Sequence, residues 1–140
     1  MIDYQQLKIS SGQYWNIFLH QDQTVLGRSY FWYNGELTDL MEIPERAMLE
    51  LRENGNRLKR TLEELFHPNQ FNYSSLNNRT KHLHFHVIPR YRDSREFMGI
   101  SFTDEHFGES YQRNQGVHLH PTLLAEIKEV IAQKYLMLRR

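Results

Sequence analysis

The chain has no cysteine, which removes disulfides, thiol nucleophiles and thiolate metal sites together. No apolar run approaches the roughly 18 residues that a membrane-spanning helix needs. The opening residues, Met1 to Leu7, have neither the basic start nor the apolar stretch of a signal peptide. Charge of one sign is also missing: 17 Lys and Arg balance 17 Asp and Glu. A general binder of nucleic acid or of membrane surfaces would need a basic surplus, so neither partner is expected. There are no repeats, low-complexity tracts or linker-like segments. These absences together predict one cytoplasmic domain spanning residues 1–140.

What the chain does have is periodic pattern. Tyr14 to His20 reads as a strand turning at Gln21-Asp22-Gln23, and Val25 to Tyr33 as its hairpin partner, closed by Asn34-Gly35. Pro44 suits the first turn of a helix, and Ala47, Met48, Leu51, Leu58, Leu62, Leu65 and Phe66 recur at helical spacing, predicting a helix over 44–66. Gly55 lies inside it at a cost of about 1 kcal/mol relative to alanine, and is expected to loosen or kink it. Phe71 to Leu76 reads as a short strand, and Asn77 to Thr80 as a polar loop before a second hairpin partner. The segment 92–120 loses periodicity, and a last helix is predicted over 121–138. The sum is an α+β domain with a core over about 15–91: an antiparallel sheet of about four to five strands, one long central helix and a C-terminal helix.

The segment His82-Leu83-His84-Phe85-His86-Val87-Ile88-Pro89-Arg90-Tyr91 carries the chemistry. On a strand, alternate side chains share a face, so the three imidazoles project from one side while Leu83, Phe85 and Val87 point into the core. Three chemical readings compete. A neutral His84 can attack phosphorus and form a phosphoramidate, provided one ring nitrogen is bare and the other holds the proton, for instance against a backbone carbonyl. His82 and His86 then donate hydrogen bonds to phosphate oxygens. Alternatively the row ligates zinc, with His118 and His120 completing the set, although no acidic ligand lies beside it. The third reading is a binding strand without turnover. The bland alternative is a row of solvent-facing histidines.

The pattern His-apolar-His-apolar-His-apolar-apolar resembles the signature of the histidine triad (HIT) family of nucleotide hydrolases and transferases. The Pro-Arg sequel is similar to the version in its dinucleoside polyphosphate hydrolase branch. The likeness runs from Trp15 to Tyr91 and more weakly through Phe97, Gly99, Phe102 and Asp104. It implies a HIT-like sheet and helix, with His84 as the nucleophile that carries the nucleotidyl group and with His82 and His86 in support. It also implies a phosphoanhydride substrate such as diadenosine tetraphosphate, with Asn72 and Asn78 near phosphate or ribose. No metal ligand set belongs to the triad mechanism; no cofactor is required, and a divalent cation can accompany the substrate. A homodimer built by extending the sheet is a further implication.

One position departs from the family pattern. Where many members carry a further histidine after a glycine, Gly27 is followed by Arg28. Arginine can grip a phosphate but cannot accept a proton, so Arg28 is read as a polyphosphate contact or, equally, as the partner of a surface carboxylate. Arg90 is a second candidate phosphate contact, against a strand-closing surface salt bridge. The run Tyr30-Phe31-Trp32-Tyr33 is assigned to core packing over base stacking, and His20, His67 and His106 carry no argument.

Overall fold

The computed structural model describes residues 3–114 and 118–139. The reading of the extreme N-terminus at Met1-Ile2 and the 115–117 part of segment 92–120 lie outside the described residues. Among the described residues, seven strands and two α-helices follow in chain order: β1 (Lys8–Ser11), β2 (Trp15–Leu19), β3 (Ser29–Tyr33), α1 (Glu45–Phe66), β4 (Gln70–Ser74), β5 (His84–Arg90), β6 (Arg95–Phe97), β7 (Ile100–Phe102) and α2 (Pro121–Met137). The first five strands form one antiparallel sheet in the order β1-β2-β3-β5-β4, and β6 and β7 form a separate hairpin. This is the expected α+β architecture, with the long central helix and the C-terminal helix.

Alternation along the strands gives the sheet two unlike faces. Trp15, Ile17, Leu19, Phe31, Tyr33 and Val87 are buried on one side among Ala47, Leu58, Leu62 and Phe66 of α1. The Trp15 indole donates to the Ala47 carbonyl at 2.8 Å, fastening sheet to helix. The Glu50 carboxylate of α1 accepts the backbone N–H groups of Gln13, Tyr14 and Trp15, which orders the β1–β2 turn. The helix ends at His67, in the left-handed conformation (φ 53°), just before Pro68. His120 caps α2 by accepting the Thr122 amide, and Leu124, Ile127, Ile131 and Tyr135 form its buried side, packed on β1 and α1.

Three expectations change. The predicted strand over 25–33 shortens to Ser29–Tyr33, because Val25 and Leu26 bury themselves in a loop that drops towards α1. Gly27 in that loop has φ 95°, with Leu62 and Phe66 immediately beneath. The irregular segment 92–120 contains the β6–β7 hairpin, turning at Met98-Gly99 where both φ angles are positive (50° and 80°). Gly55 neither breaks nor divides α1, which runs unbroken through it.

Candidate active site

The face of the sheet turned away from α1 borders a cavity of about 720 Å³. Its floor follows from strand register: Asn16 pairs Trp32, Phe18 pairs Tyr30, Tyr30 pairs His86 and Trp32 pairs His84. His82 lies just before β5 and still joins the row, because Tyr33 N–H donates to the Leu83 carbonyl and extends the ladder. All three predicted histidines line this one cavity.

The partners of each ring assign its proton. His84 Nδ1 lies 2.7 Å from the carbonyl of His82. A carbonyl only accepts, so Nδ1 carries the hydrogen and Nε2 is left bare. His82 Nε2 donates to the Tyr33 carbonyl at 2.6 Å, and its ring stacks on Trp32 at 4.2 Å. His86 has the opposite arrangement to His84. Its Nδ1 faces the Arg28 guanidinium, Nη2 at 3.5 Å, and an arginine only donates, so its proton belongs on Nε2. The His84 and His86 rings stand 5.0 Å apart, edge to face. Burial, then the positive Arg28 and then His84, lower the His86 pKa to about 4, so this ring is neutral at pH 7.

A fourth histidine completes the row. His20, for which the sequence pattern carries no argument, lines the cavity with its ring 5.8 Å from His86. Its Nδ1 accepts the Asp22 amide at 2.9 Å, leaving the proton on Nε2. Burial first, with Arg28 and His86 next, lowers its pKa to about 3. Period-2 alternation from Asn16 through Phe18 to His20 was the signal that could have found it, since the β2–β3 ladder continues through a His20 N–H to Arg28 carbonyl bond. Tyr30 and Trp32 also move from core to cavity wall, while Phe31 keeps the core assignment and Tyr33, buried in the core, borders the cavity as well.

The other predicted residues fall elsewhere. Arg28 is not a surface residue: Nη1 meets Asp22 Oδ2 at 2.6 Å, and its guanidinium lies over the Tyr111 ring. Burial works to raise the Asp22 carboxyl, but hydrogen bonds from Tyr111 and Thr24 and the charge of Arg28 outweigh it and hold the group below the usual carboxylate value. Arg90 is corrected on both of its expected roles. It is fully buried, and its five N–H groups go to Asp104 (two), Asn72, and the carbonyls of Glu109 and His106, leaving none for a phosphate. Asn72 serves that network and does not line the cavity. Asn78 is exposed in the loop before the row, where Thr80 reaches the cavity instead. His118 and His120, the suggested additional ligands, sit at the entry to α2 outside the cavity. Among the described residues no three His, Asp or Glu side chains gather as a metal site.

Residues 31–93 match the family model described as the HIT domain, and no curated protein matches the chain. Several solved structures share the fold. A hypothetical histidine triad nucleotide-binding protein from Sulfolobus tokodaii is 14% identical, over 96% of this chain and 86% of that one, with a TM-score of 0.74. Diadenosine triphosphate hydrolase from Plasmodium falciparum is 13% identical over 94% and 77%, with a TM-score of 0.65. A Zn-bound histidine triad family protein from Mycobacterium smegmatis is 16% identical over 94% and 85%, at 0.64. At these identities the likeness carries the fold.

Proposed function

We infer that this chain is a member of the histidine triad family, on the strength of the HIT-domain match over residues 31–93 and the shared fold, and that it is a nucleotide hydrolase or nucleotidyltransferase working through a covalent nucleotidyl-His84 intermediate. The observation that carries the reading is the tautomer of His84, held with Nε2 bare by the His82 carbonyl. The Nε2 lone pair attacks the α-phosphorus; a P–N bond forms as the bond to the leaving phosphate oxygen breaks, and that oxygen departs as an anion. Attachment at Nε2 makes the ring cationic, and its Nδ1–H then donates more strongly to the His82 carbonyl. Water attacks the same phosphorus, the P–N electron pair returns to Nε2, the water's proton passes to solvent, and a nucleoside monophosphate leaves. His82 shapes the row through its stacking on Trp32, and His86 offers its Nε2–H to a phosphate oxygen.

Diadenosine tetraphosphate is the first substrate choice, with an accompanying divalent cation. A specific observation favours a second choice. The cavity lining, among the described residues, holds Glu36 but no lysine or arginine. Short, weakly anionic substrates such as nucleoside phosphoramidates suit that lining better than a polyphosphate chain does. The Asn78 contact with substrate stays part of the proposal, as do a single domain over 1–140, a homodimer and a cytoplasmic location. Among the described residues no helix is long and apolar enough to cross a membrane.

The test is His84→Ala in the full chain. Turnover of dinucleoside polyphosphates and phosphoramidates should fall at least about a thousandfold, nucleotide binding should persist, and only wild type should yield a nucleotidyl adduct on quenching. Substantial activity in the variant would overturn the mechanism. Stoichiometric zinc, lost on replacing His82 or His84, would instead identify a histidine-coordinated metalloprotein.

A further inference from the structure

Arg28 occupies a position that direct phosphate binding does not account for. Asp22 holds one arm of its guanidinium at 2.6 Å, and the same Asp22 oxygen accepts the Tyr111 hydroxyl at 2.6 Å. Tyr111 also lies under the guanidinium, 4.9 Å from ring centre to Cζ. The Asp22 side chain is 4% exposed and that of Arg28 13%. The remaining arm faces Nδ1 of His86. Arg28 does not line the cavity, whereas His86 does.

We propose that Arg28 is a positioning residue that acts through His86: clamped by Asp22 and Tyr111, it presents an N–H to Nδ1 and so assigns the ring's proton to Nε2. Arginine suits this task because it cannot give up its proton. Its charge also opposes protonation of the imidazole it faces. The row then carries two opposite tautomers on one strand, a bare Nε2 on His84 beside a protonated Nε2 on His86. The groups around His86 are Arg28, Asp22 and His20 from the loop after β2, Tyr30 from β3, His84 from its own strand, Ser74 paired from β4, and Tyr111 behind Arg28. Arg28 is the fixed cation among them, and Asp22, the carboxylate, is turned towards it.

The inference rests on the proposed nucleotidyl-transfer reading only for its kinetic consequence, so its test uses the ring directly. Nitrogen-15 spectra of the histidine rings, recorded from pH 7 down to pH 4 on the full chain without substrate, report tautomer and protonation. Wild type should show His86 as the neutral Nε2–H form throughout most of that range. In Arg28→Met the ring should become a mixture of tautomers and its midpoint should rise by about one unit or more, while His84 keeps its Nδ1–H form. Because Arg28→Met strands the Asp22 carboxylate, the pair Asp22→Asn with Arg28→Met provides a folded comparison, and the same change in His86 is expected there. An unaltered His86 tautomer and midpoint in either folded variant would overturn the proposal. In kinetics, kcat should fall with little change in KM, whereas loss of a direct phosphate contact would mainly raise KM. A wild-type chain without turnover would sink the nucleotidyl-transfer reading and leave the spectroscopic result standing.

Discussion

Arg90 places a guanidinium in the interior with every donor engaged, and the two bonds to Asp104 run at 2.7 and 3.1 Å. An ion pair with both side chains at 1% exposure or less has little solvent to replace either partner. Removing one member leaves the other as an unpaired buried charge, the costly case. Arg90→Met is therefore expected to lower the free energy of unfolding by about 3–5 kcal/mol, read from urea denaturation; a loss under about 1 kcal/mol would mean that water enters and solvates Asp104. The sequence offered two surface roles for this arginine, phosphate contact or salt bridge. It could not disclose the buried one, because Asp104, Asn72 and the Glu109 and His106 carbonyls converge only in three dimensions. The triad histidines are the contrary case, since their shared side of the chain follows from alternation alone.

At the scale of elements, α1 was legible nearly to the residue: expected over 44–66, observed as Glu45–Phe66 with Pro44 as its N-cap. Helical periodicity repeats locally over six turns, so no distant partner is needed to see it. The helix stays continuous through Gly55 because it is held by tertiary contacts on both sides of it, through Ala47 before and Leu58, Leu62 and Phe66 after. A β-carbon at Gly55 would meet nothing within 4 Å, so Gly55→Ala should stabilise the protein by about 0.5–1 kcal/mol. A thermal unfolding midpoint unchanged or lowered in that variant would contradict this account. The shorter elements were illegible for a related reason. β1 has four residues and β6 and β7 three each, too few for a period-2 pattern to stand out. Val25 and Leu26 look like strand residues because they are apolar, yet they pack as loop.

For the molecule as a whole, the buried neutral imidazoles link folding to pH. His20 and His86 titrate near 3 and 4 in the folded chain and near 6.5 when exposed to water. Above pH 6.5 neither ring distinguishes the two states. As pH falls below 6.5 the unfolded chain takes up protons that the folded chain refuses, so stability declines, through about 4 for His86 and about 3 for His20. Asp22, held below its ordinary value, adds a loss in the acid range as its carboxylate is finally protonated. Denaturation midpoints should thus drop steadily from pH 7 to pH 4, and His20→Gln should flatten that slope. An equal slope in the variant would show that His20 is hydrated in the folded protein.

From its sequence alone the chain determined an α+β class, the long helix, the second hairpin of β4 and β5, and the common side of His82, His84 and His86. Each depends on local periodicity, which the order of residues records directly. Tertiary structure decided the rest. It brought His20 into the row, moved Tyr30 and Trp32 from core to cavity wall, buried Arg90, and set Arg28 behind His86. It also chose the ring tautomers, since a proton settles on one nitrogen or the other according to which carbonyl, amide or guanidinium the fold places against it. Such partners lie as far as 58 positions away along the chain, beyond the reach of any local pattern.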